Sequence, residues 1–220
     1  MHDTITGPVF QEMLIFGAAS IAKEKQSIND LNVFPVPDGD TGTNMSLTMH
    51  AAAQELQKRS PATVDLASSI TASALLRGAR GNSGVILSLL FRGMSKSLKG
   101  CVTADGCTFA AAMQEGVSAA YNAVMKPAEG TILTVSRLGA QAAVDFAKDS
   151  TDFEGMLDAL LAAAREALAG ILANYRGWRR CEIILVFDAY KVKGNPGSME
   201  KKNGIYIVYT KEAQLSLIHI

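Results

Sequence analysis

The stretch that decides the fold is "LNVFPVPDGDTGTNM", residues 31–45. Pro35 and Pro37 fix their own φ angles, and each pushes the residue before it towards extended geometry. This stiff segment leads into "DGDTGTN", where Gly39 and Gly42 permit tight turns of the backbone. The sequence therefore predicts a rigid loop in a chain that is otherwise rich in helix-forming residues.

The same loop presents two carboxylates one residue apart at a predicted helix start. Asp38 and Asp40 come first, and Thr43 or Asn44 can then cap a helix that begins near Met45. Carboxylate oxygens suit Mg²⁺, and the free N–H groups of a helix start suit a phosphate. The alternative is a plain turn, because Asp-Gly pairs are common in turns.

A second glycine-rich loop is predicted in "RGARGNSGVILS", residues 77–88. Three glycines surround Asn82 and Ser83 immediately before a helical pattern, so the backbone can approach a ligand and its N–H groups can surround an anion. The stretch lacks the Gly-Lys-Ser/Thr ending of a P-loop. A helix–helix turn capped by Asn82 or Ser83 is the alternative interpretation.

A third loop lies in "KPAEGTILTVSR", residues 126–137, where Glu129, Gly130 and Thr131 open another predicted helix. By itself this stretch is typical of an ordinary capped loop. Three glycine-containing loops that each lead into a helix can converge at one end of a helical barrel. That arrangement is more specific than any of the three loops alone.

The rest of the pattern predicts an all-α barrel followed by a short α/β fragment. Alanine-rich stretches with apolar stripes cover residues 107–126, 131–148 and 152–175, and about seven amphipathic helices are expected in all. The character then changes, because 181–190 and 204–210 are β-branched and aromatic runs typical of strands. A polar, turn-rich connection separates them, and two strands alone do not make a stable sheet.

Net charge, cysteine content and the lack of long apolar runs limit the classes of partner and the compartment that we expect for this protein. The formal net charge of zero gives no electrostatic reason to expect nucleic acid or an acidic membrane surface as a partner. The three cysteines are scattered without metal-ligand spacing, which suits a reducing cytoplasm. The N-terminus has no signal-peptide pattern, and no apolar run is long enough for a transmembrane segment. We therefore expect a cytoplasmic protein.

The three loop motifs together closely resemble the N-terminal kinase domain of fatty acid kinase A subunits (FakA), which belong to the dihydroxyacetone kinase L-subunit (DhaL) superfamily. The resemblance covers residues 5 to about 168. It implies an antiparallel helical barrel that binds Mg²⁺ with ATP or ADP at one end. It also implies transfer of the γ-phosphate to a fatty acid on a FakB-like carrier protein, which gives an acyl phosphate.

The resemblance also assigns roles by position. Asp38 and Asp40 match Mg²⁺-binding aspartates, and Asn32 stands where dihydroxyacetone kinases have a further metal-ligand aspartate. The positions that match nucleotide contacts are Thr43, Asn44, Asn82, Ser83, Gly84, Thr131 and Ile132. No catalytic side chain beyond the metal ligands is assigned, because all three histidines lie outside the motifs and a fatty acid carboxylate is already deprotonated at neutral pH.

Two other functions stay open. In dihydroxyacetone kinases a partner subunit presents dihydroxyacetone as the acceptor of the phosphate. The amino-acid sequence of the first loop favours the fatty acid branch instead. A nucleotide-binding remnant without turnover is the second alternative, because the resemblance implies a closing helical segment and docking domains for which the sequence shows no match. A homodimer is a further expectation.

The segment after the barrel resembles another family, the YacP-like NYN-domain ribonucleases, of whose metal-binding acids only Asp188 has a match here. We expect a kinase domain over 1–168, an NYN-like fragment over 169–214 and a non-family tail over 215–220. An artificial junction is predicted near 163–171. On this interpretation the C-terminal segment adds nothing to function, and a nuclease is the weakest of the candidate functions.

Overall fold

Seven α-helices account for most of the residues that the structure describes. The computed structural model describes residues 4–31, 38–127, 129–174, 191–192 and 199–200. Its helices are α1 (Gly7–Leu31), α2 (Thr41–Arg59), α3 (Val64–Gly78), α4 (Gly81–Ser97), α5 (Gly106–Ala123), α6 (Ile132–Phe146) and α7 (Phe153–Asn174). The all-α prediction for this part of the chain is confirmed.

Each helix packs against the next one in the chain. Because short connections join these packed neighbours, consecutive helices run antiparallel, as in an up-and-down bundle. The starts of α2, α4 and α6 therefore lie at one end of the barrel, and the starts of α1, α3, α5 and α7 lie at the other. This alternation brings the three glycine-containing loops to the same end.

Backbone hydrogen bonds connect the chain segments at the opposite end of the barrel, where α1, α3, α5 and α7 begin. Strand β1 (Thr4–Ile5) pairs antiparallel with β2 (Ala104–Asp105), so the N-terminus is tied to the connection between α4 and α5. The N–H of Val64 donates to the carbonyl of Val102 over 3.0 Å, which attaches the start of α3 to the same connection. This end is thus closed by main-chain contacts, whereas the glycine loops form the other end.

Aromatic side chains join helices that are distant in sequence. Phe109 on α5 contacts Phe10 on α1 and Phe153 on α7, with ring centroids 6.2 Å and 5.1 Å apart and edge-to-face geometry. All three rings are buried. Large aromatic side chains dominate core energetics, so this cluster is a main attachment between the two halves of the barrel.

An apolar cavity of about 140 Å³ lies inside the barrel among five of the helices. Ser136 supplies the only polar side chain of its lining. The other lining residues are Met13, Leu14, Gly17, Ile21, Ile28, Met45, Met49, Leu87, Leu90, Phe91, Met94, Met113, Val117 and Ile132. The cavity therefore offers little that could bind a phosphate or a metal ion.

The start of α2 differs from the prediction. The helix begins at Thr41 rather than near Met45, and its N-cap residue is Asp40, whose side chain makes no capping hydrogen bond. Thr43 and Asn44 therefore lie inside the first turn and do not cap it. The physical reason is tertiary: Gly42 packs so closely on the Lys25 carbonyl of α1 that a Cβ would collide there, and this contact fixes the early turn.

The C-terminal segment is described only in part. Strands β3 (Lys191–Val192) and β4 (Met199–Glu200) pair antiparallel, within the stretch for which a polar connection was predicted. The strands predicted at 181–190 and 204–210 lie outside the described residues. Helix α7 runs through the predicted junction at 163–171 without a break, and the proposed domain bounds stay predictions.

We predict that Phe109→Ala lowers the free energy of unfolding by about 3–5 kcal/mol, because it removes two ring contacts and leaves a cavity in the core. Urea denaturation followed by circular dichroism measures the change. Met125→Ala is the control, because the Met125 side chain is 98% exposed and such a surface change is expected to stay within about 0.5 kcal/mol. Equal stabilities of the two variants would contradict the assigned core.

Candidate functional site

The three loops that the sequence singled out lie at one end of the barrel. The second loop touches the first helix turn of α2, because a Cβ on Gly81 would lie 2.7 Å from the Asn44 amide nitrogen. Ile132, which begins α6, lines the internal cavity together with Met45 of α2. The first two loops are therefore in contact, and the third lies at the same end of the barrel.

Two carboxylates stand at the start of α2. Asp38 is exposed and Asp40 is half-buried, and Gly39 between them has a φ of +62°, which a residue with a side chain rarely adopts. Within the described ranges, no group of three or more His, Cys, Asp or Glu side chains is placed to hold a metal. Asn32, the third predicted oxygen ligand, lies outside those ranges.

This donor set fits Mg²⁺ carried by a nucleotide better than it fits a metal held by protein alone. Mg²⁺ in such sites keeps several waters and takes one or two carboxylates together with phosphate oxygens of the substrate. Asp40 makes no capping hydrogen bond with its side chain. Asp38 and Asp40 are thus sufficient in number and in chemistry for that role.

Backbone N–H groups of two helix starts lie at the same end of the barrel. The first residues of a helix have no acceptor for their N–H within that helix. At this end they are Thr41 and Gly42 of α2 and Gly81, Asn82 and Ser83 of α4. The positive ends of both helix dipoles also point here, so the arrangement favours an anion such as a phosphate group.

The second loop is held in place by Thr48 of α2. The Thr48 hydroxyl accepts a hydrogen bond from the Arg80 N–H at 3.0 Å and donates to the Asn44 carbonyl at 2.7 Å. A Cβ on Gly84 would lie only 2.5 Å from that hydroxyl. Gly84 therefore has a packing role in the contact between α2 and α4, in addition to its predicted position beside the nucleotide.

The third loop is capped as the sequence predicts. Thr131 is the N-cap of α6, and its hydroxyl accepts from the N–H of Leu133 at 3.3 Å. The Thr134 hydroxyl closes the cap from the other side, because it accepts from the Gly130 N–H at 2.8 Å and donates to Glu129 Oε2 at 2.9 Å. Ile132 then begins the helix beside the cavity.

Glu129 also joins this loop to α5 and α6. Its carboxylate accepts from Arg137 Nη2 at 2.9 Å and from the Tyr121 hydroxyl at 3.1 Å, while Arg137 Nε donates to the Tyr121 oxygen at 3.3 Å. The hydrogen bond from Arg137 is the main cause that lowers the pKa of Glu129. The bonds to Tyr121 and then Glu129 raise the pKa of Arg137.

Sequence reasoning missed Asn29, Thr48, Tyr121 and Arg137. Asn29 contacts Thr43 through both ends of its side-chain amide, yet nothing in the α1 pattern marks it. The positions Asn44 and Thr48, four residues apart, are a signal for Thr48 because they face the same side of a helix. Glu129 before the start of α6 and Arg137 after it carry opposite charges, which is a weaker sequence signal that these two residues interact.

Comparison with known proteins assigns the fold to a family. Residues 35–171 match the DAK2 domain. The chain belongs to the DAK2 domain family. Residues 148–216 also match the YacP-like NYN domain, so the two matches overlap on α7. Both resemblances found in the sequence are thereby confirmed.

Curated relatives carry the same DAK2 region. The chain is similar to the protein YloV of Bacillus subtilis, with 46% identity over 165 residues, which are 75% of this chain and 30% of YloV. It is 43% identical over 168 residues to uncharacterized proteins of Staphylococcus aureus and of Staphylococcus epidermidis; these residues are 76% of this chain and 31% and 30% of those proteins. The chain thus spans about a third of the length of these relatives.

Membership in the DAK2 family makes this a domain of the dihydroxyacetone kinase or fatty acid kinase type. Domains of this type bind adenine nucleotides. In the described part of the chain, no helix is both long and apolar enough to cross a bilayer.

We predict that Glu129→Gln destabilises the domain at neutral pH and that the difference shrinks as the pH falls below the ordinary glutamate value of 4.5. The pKa of Glu129 is lowered in the folded state, so its stabilising contribution exists above that value and is lost on acidification. The side chains of Glu129 and Arg137 are 60% and 42% exposed, so we expect less than about 1 kcal/mol.

Urea denaturation between pH 3.5 and 7 measures this difference. Glu12→Gln on α1 is the control, because Glu12 is also exposed but takes part in no such network among the described residues. A difference between wild type and Glu129→Gln that stays constant with pH would contradict the role given to the carboxylate.

Proposed function

We propose that the barrel is a Mg²⁺-dependent phosphotransferase domain that binds ATP at the end formed by the three glycine loops. The observation that supports this most strongly is the position of two carboxylates at the start of α2, whose first turn contacts the start of α4. One side of that arrangement suits a hard cation, and the other suits phosphate oxygens. The family membership supports the same reaction class.

Each part of the site then has a physical role. Phosphoryl transfer depends mainly on positioning and on stabilising charge on the transferred group, and little on covalent chemistry by the protein. Asp38 and Asp40 would hold the metal, with Asn32 as a further oxygen ligand. A bound Mg²⁺ supplies positive charge beside the phosphates.

The backbone and neutral side chains do the remaining positioning. The N–H groups at the starts of α2 and α4 donate to phosphate oxygens, and the side chains of Asn44, Asn82 and Ser83 stand beside them as further donors. Thr131 and Ile132 line the nucleotide from the third loop. The hydrogen bonds that Glu129 accepts from Thr134 and Arg137 connect that loop to α6.

The acceptor that we infer is the carboxylate of a fatty acid presented by a FakB-like carrier protein. A carboxylate is ionised at neutral pH and needs no general base. Of the histidines, His50 is the one within the described ranges, and it lies exposed on α2 away from the loops. Dihydroxyacetone on a partner subunit is the second candidate acceptor. Its hydroxyl must lose a proton during transfer, so this reaction needs a general base, which a carboxylate acceptor does not need.

Nucleotide binding is the first property to test. We predict that Mg-ADP at about 100 times its dissociation constant adds roughly 2.7 kcal/mol to stability and raises the melting temperature. Asp38→Ala and Asp40→Ala are expected to abolish the shift, because they remove the metal ligands. Asp158→Ala, an exposed carboxylate on α7, is the control. A folded wild type with an unchanged melting curve would rule out the proposal.

The acceptor needs a separate measurement. We predict that ATP turnover, followed as ADP formation, rises when a fatty-acid-loaded FakB-like protein is added and stays at background with a dihydroxyacetone-loaded partner subunit. The reverse pattern would assign the dihydroxyacetone branch. Nucleotide binding without turnover in either mixture would identify a binding unit that lacks activity.

A further inference from the structure

Asn29 makes a two-bond contact with one residue of the proposed nucleotide site. It lies near the end of α1, fourteen positions before Thr43. Its Nδ2 is 2.9 Å from Thr43 Oγ1, and its Oδ1 is 3.0 Å from the Thr43 backbone nitrogen. Both ends of the amide are therefore committed to the same partner.

Hydrogen-bond chemistry fixes the direction of each bond. The backbone N–H of Thr43 can only donate, so the atom that faces it must be the amide oxygen of Asn29. The other end is then the NH₂ group, which has no lone pair to accept with. The Thr43 hydroxyl must accept this bond, and its own proton must point away from Asn29.

The half-buried Thr43 can be compared with two buried threonines that lie inside helices of the barrel. Thr48 and Thr71 donate their hydroxyl protons to the carbonyl four residues earlier in their own helices, as threonines inside helices commonly do. Thr43 accepts a bond from Asn29 at its hydroxyl oxygen, and among the described residues its hydroxyl makes no such bond to a preceding carbonyl. Accepting from Asn29 does not use the Thr43 proton, so this proton remains for an acceptor beyond the described residues.

The rigid contact between α1 and α2 keeps this arrangement in place. Gly42 packs directly on the Lys25 carbonyl and on Ile28, with its Cα side closed to any larger side chain. Thr43 is the third residue of α2, beside Asn44, which touches Gly81 of the second loop. The oriented hydroxyl therefore belongs to the end of the barrel where the free N–H groups gather.

We propose that Asn29 is a positioning residue that holds the Thr43 hydroxyl as a hydrogen-bond donor to a phosphate oxygen of the bound nucleotide. The inference rests on the proposed function and adds a residue that does not touch the ligand itself. Asn29 also occupies the Thr43 N–H, so the amides left for phosphate in this helix turn are those of Thr41 and Gly42.

The decisive variant is Asn29→Asp. The new carboxylate still accepts from the Thr43 N–H, but it has no N–H to donate and attracts the hydroxyl proton to itself. We expect Mg-ATP to bind roughly tenfold to a hundredfold more weakly, as for the loss of a hydrogen bond to a charged group. Isothermal titration calorimetry well below the melting temperature measures the affinity.

The variant Thr43→Val distinguishes the positioning role of Asn29 from a direct effect of the negative charge that Asn29→Asp introduces. This variant alone is expected to weaken binding to a similar degree, while Thr43→Ser, which keeps the hydroxyl, stays close to wild type. In the Thr43→Val background, Asn29→Asp is expected to cost little more, because the hydroxyl through which Asn29 acts is already absent. A full additional loss in the double variant would show a direct charge effect and overturn the inference.

If Asn29 only stabilised the fold and did not position the Thr43 hydroxyl, stability and affinity would respond differently. Asn29→Asp would then lower the melting temperature and leave the affinity for Mg-ATP unchanged, which would also overturn the inference. If that variant does not fold, Asn29→Ala removes the same donor and carries the same comparison with Thr43→Val. A wild type that binds no Mg-nucleotide would defeat the proposed function itself, whereas a binding wild type with unaffected Asn29 variants would defeat only the inference.

Discussion

The contact between α2 and the loop that precedes α4 is the interaction on which the candidate site depends. The Thr48 hydroxyl bonds to the backbone on both sides, to Arg80 in the loop and to Asn44 in its own helix. Gly81 and Gly84 allow the first turn of α4 to approach α2 within contact distance. Two helix starts are thereby brought together, and a pair of positive dipole ends that would repel each other in isolation is held ready for an anion.

The two ends of the barrel have different roles: one is closed by backbone pairing, and the other carries the candidate site. The end with β1 and β2 is closed by main-chain pairing, and the N–H groups of Val64, Asp65 and Gly106 at its helix starts donate to carbonyls of neighbouring connections. The opposite end contains helix starts whose first N–H groups have no acceptor in their own helices. A site built in this way needs few charged side chains for its phosphate contacts, which is consistent with a chain of zero formal net charge.

The sequence predicted the helices and the three loops because those features depend on local chemistry. Apolar spacing identifies a helix, and glycine before a helix start identifies a loop where the backbone is exposed. Helix α2 begins four residues before its predicted start, because the tertiary contact of Gly42 with α1 extends the helix beyond its local signal. Local capping preferences could not reveal that contact.

The missed residues share a different cause. Asn29 acts on Thr43 across fourteen positions, and Tyr121 meets Arg137 across sixteen, so their roles depend on how packed helices face each other. Such contacts leave no periodicity in a single sequence. The resemblance to a family supplied the residues that face a ligand, while the residues that hold them in place became visible only through hydrogen-bond geometry.

The central claim is that the helix starts of α2 and α4 together bind the phosphates of a nucleotide. A titration of ¹⁵N-labelled protein with Mg-ADP, followed by amide chemical shifts, tests it most directly. The account predicts that the amides of Thr41, Gly42, Gly81, Asn82 and Ser83 shift together along one binding curve. Saturable shifts that leave these five amides unmoved and fall at the opposite end of the barrel would contradict it.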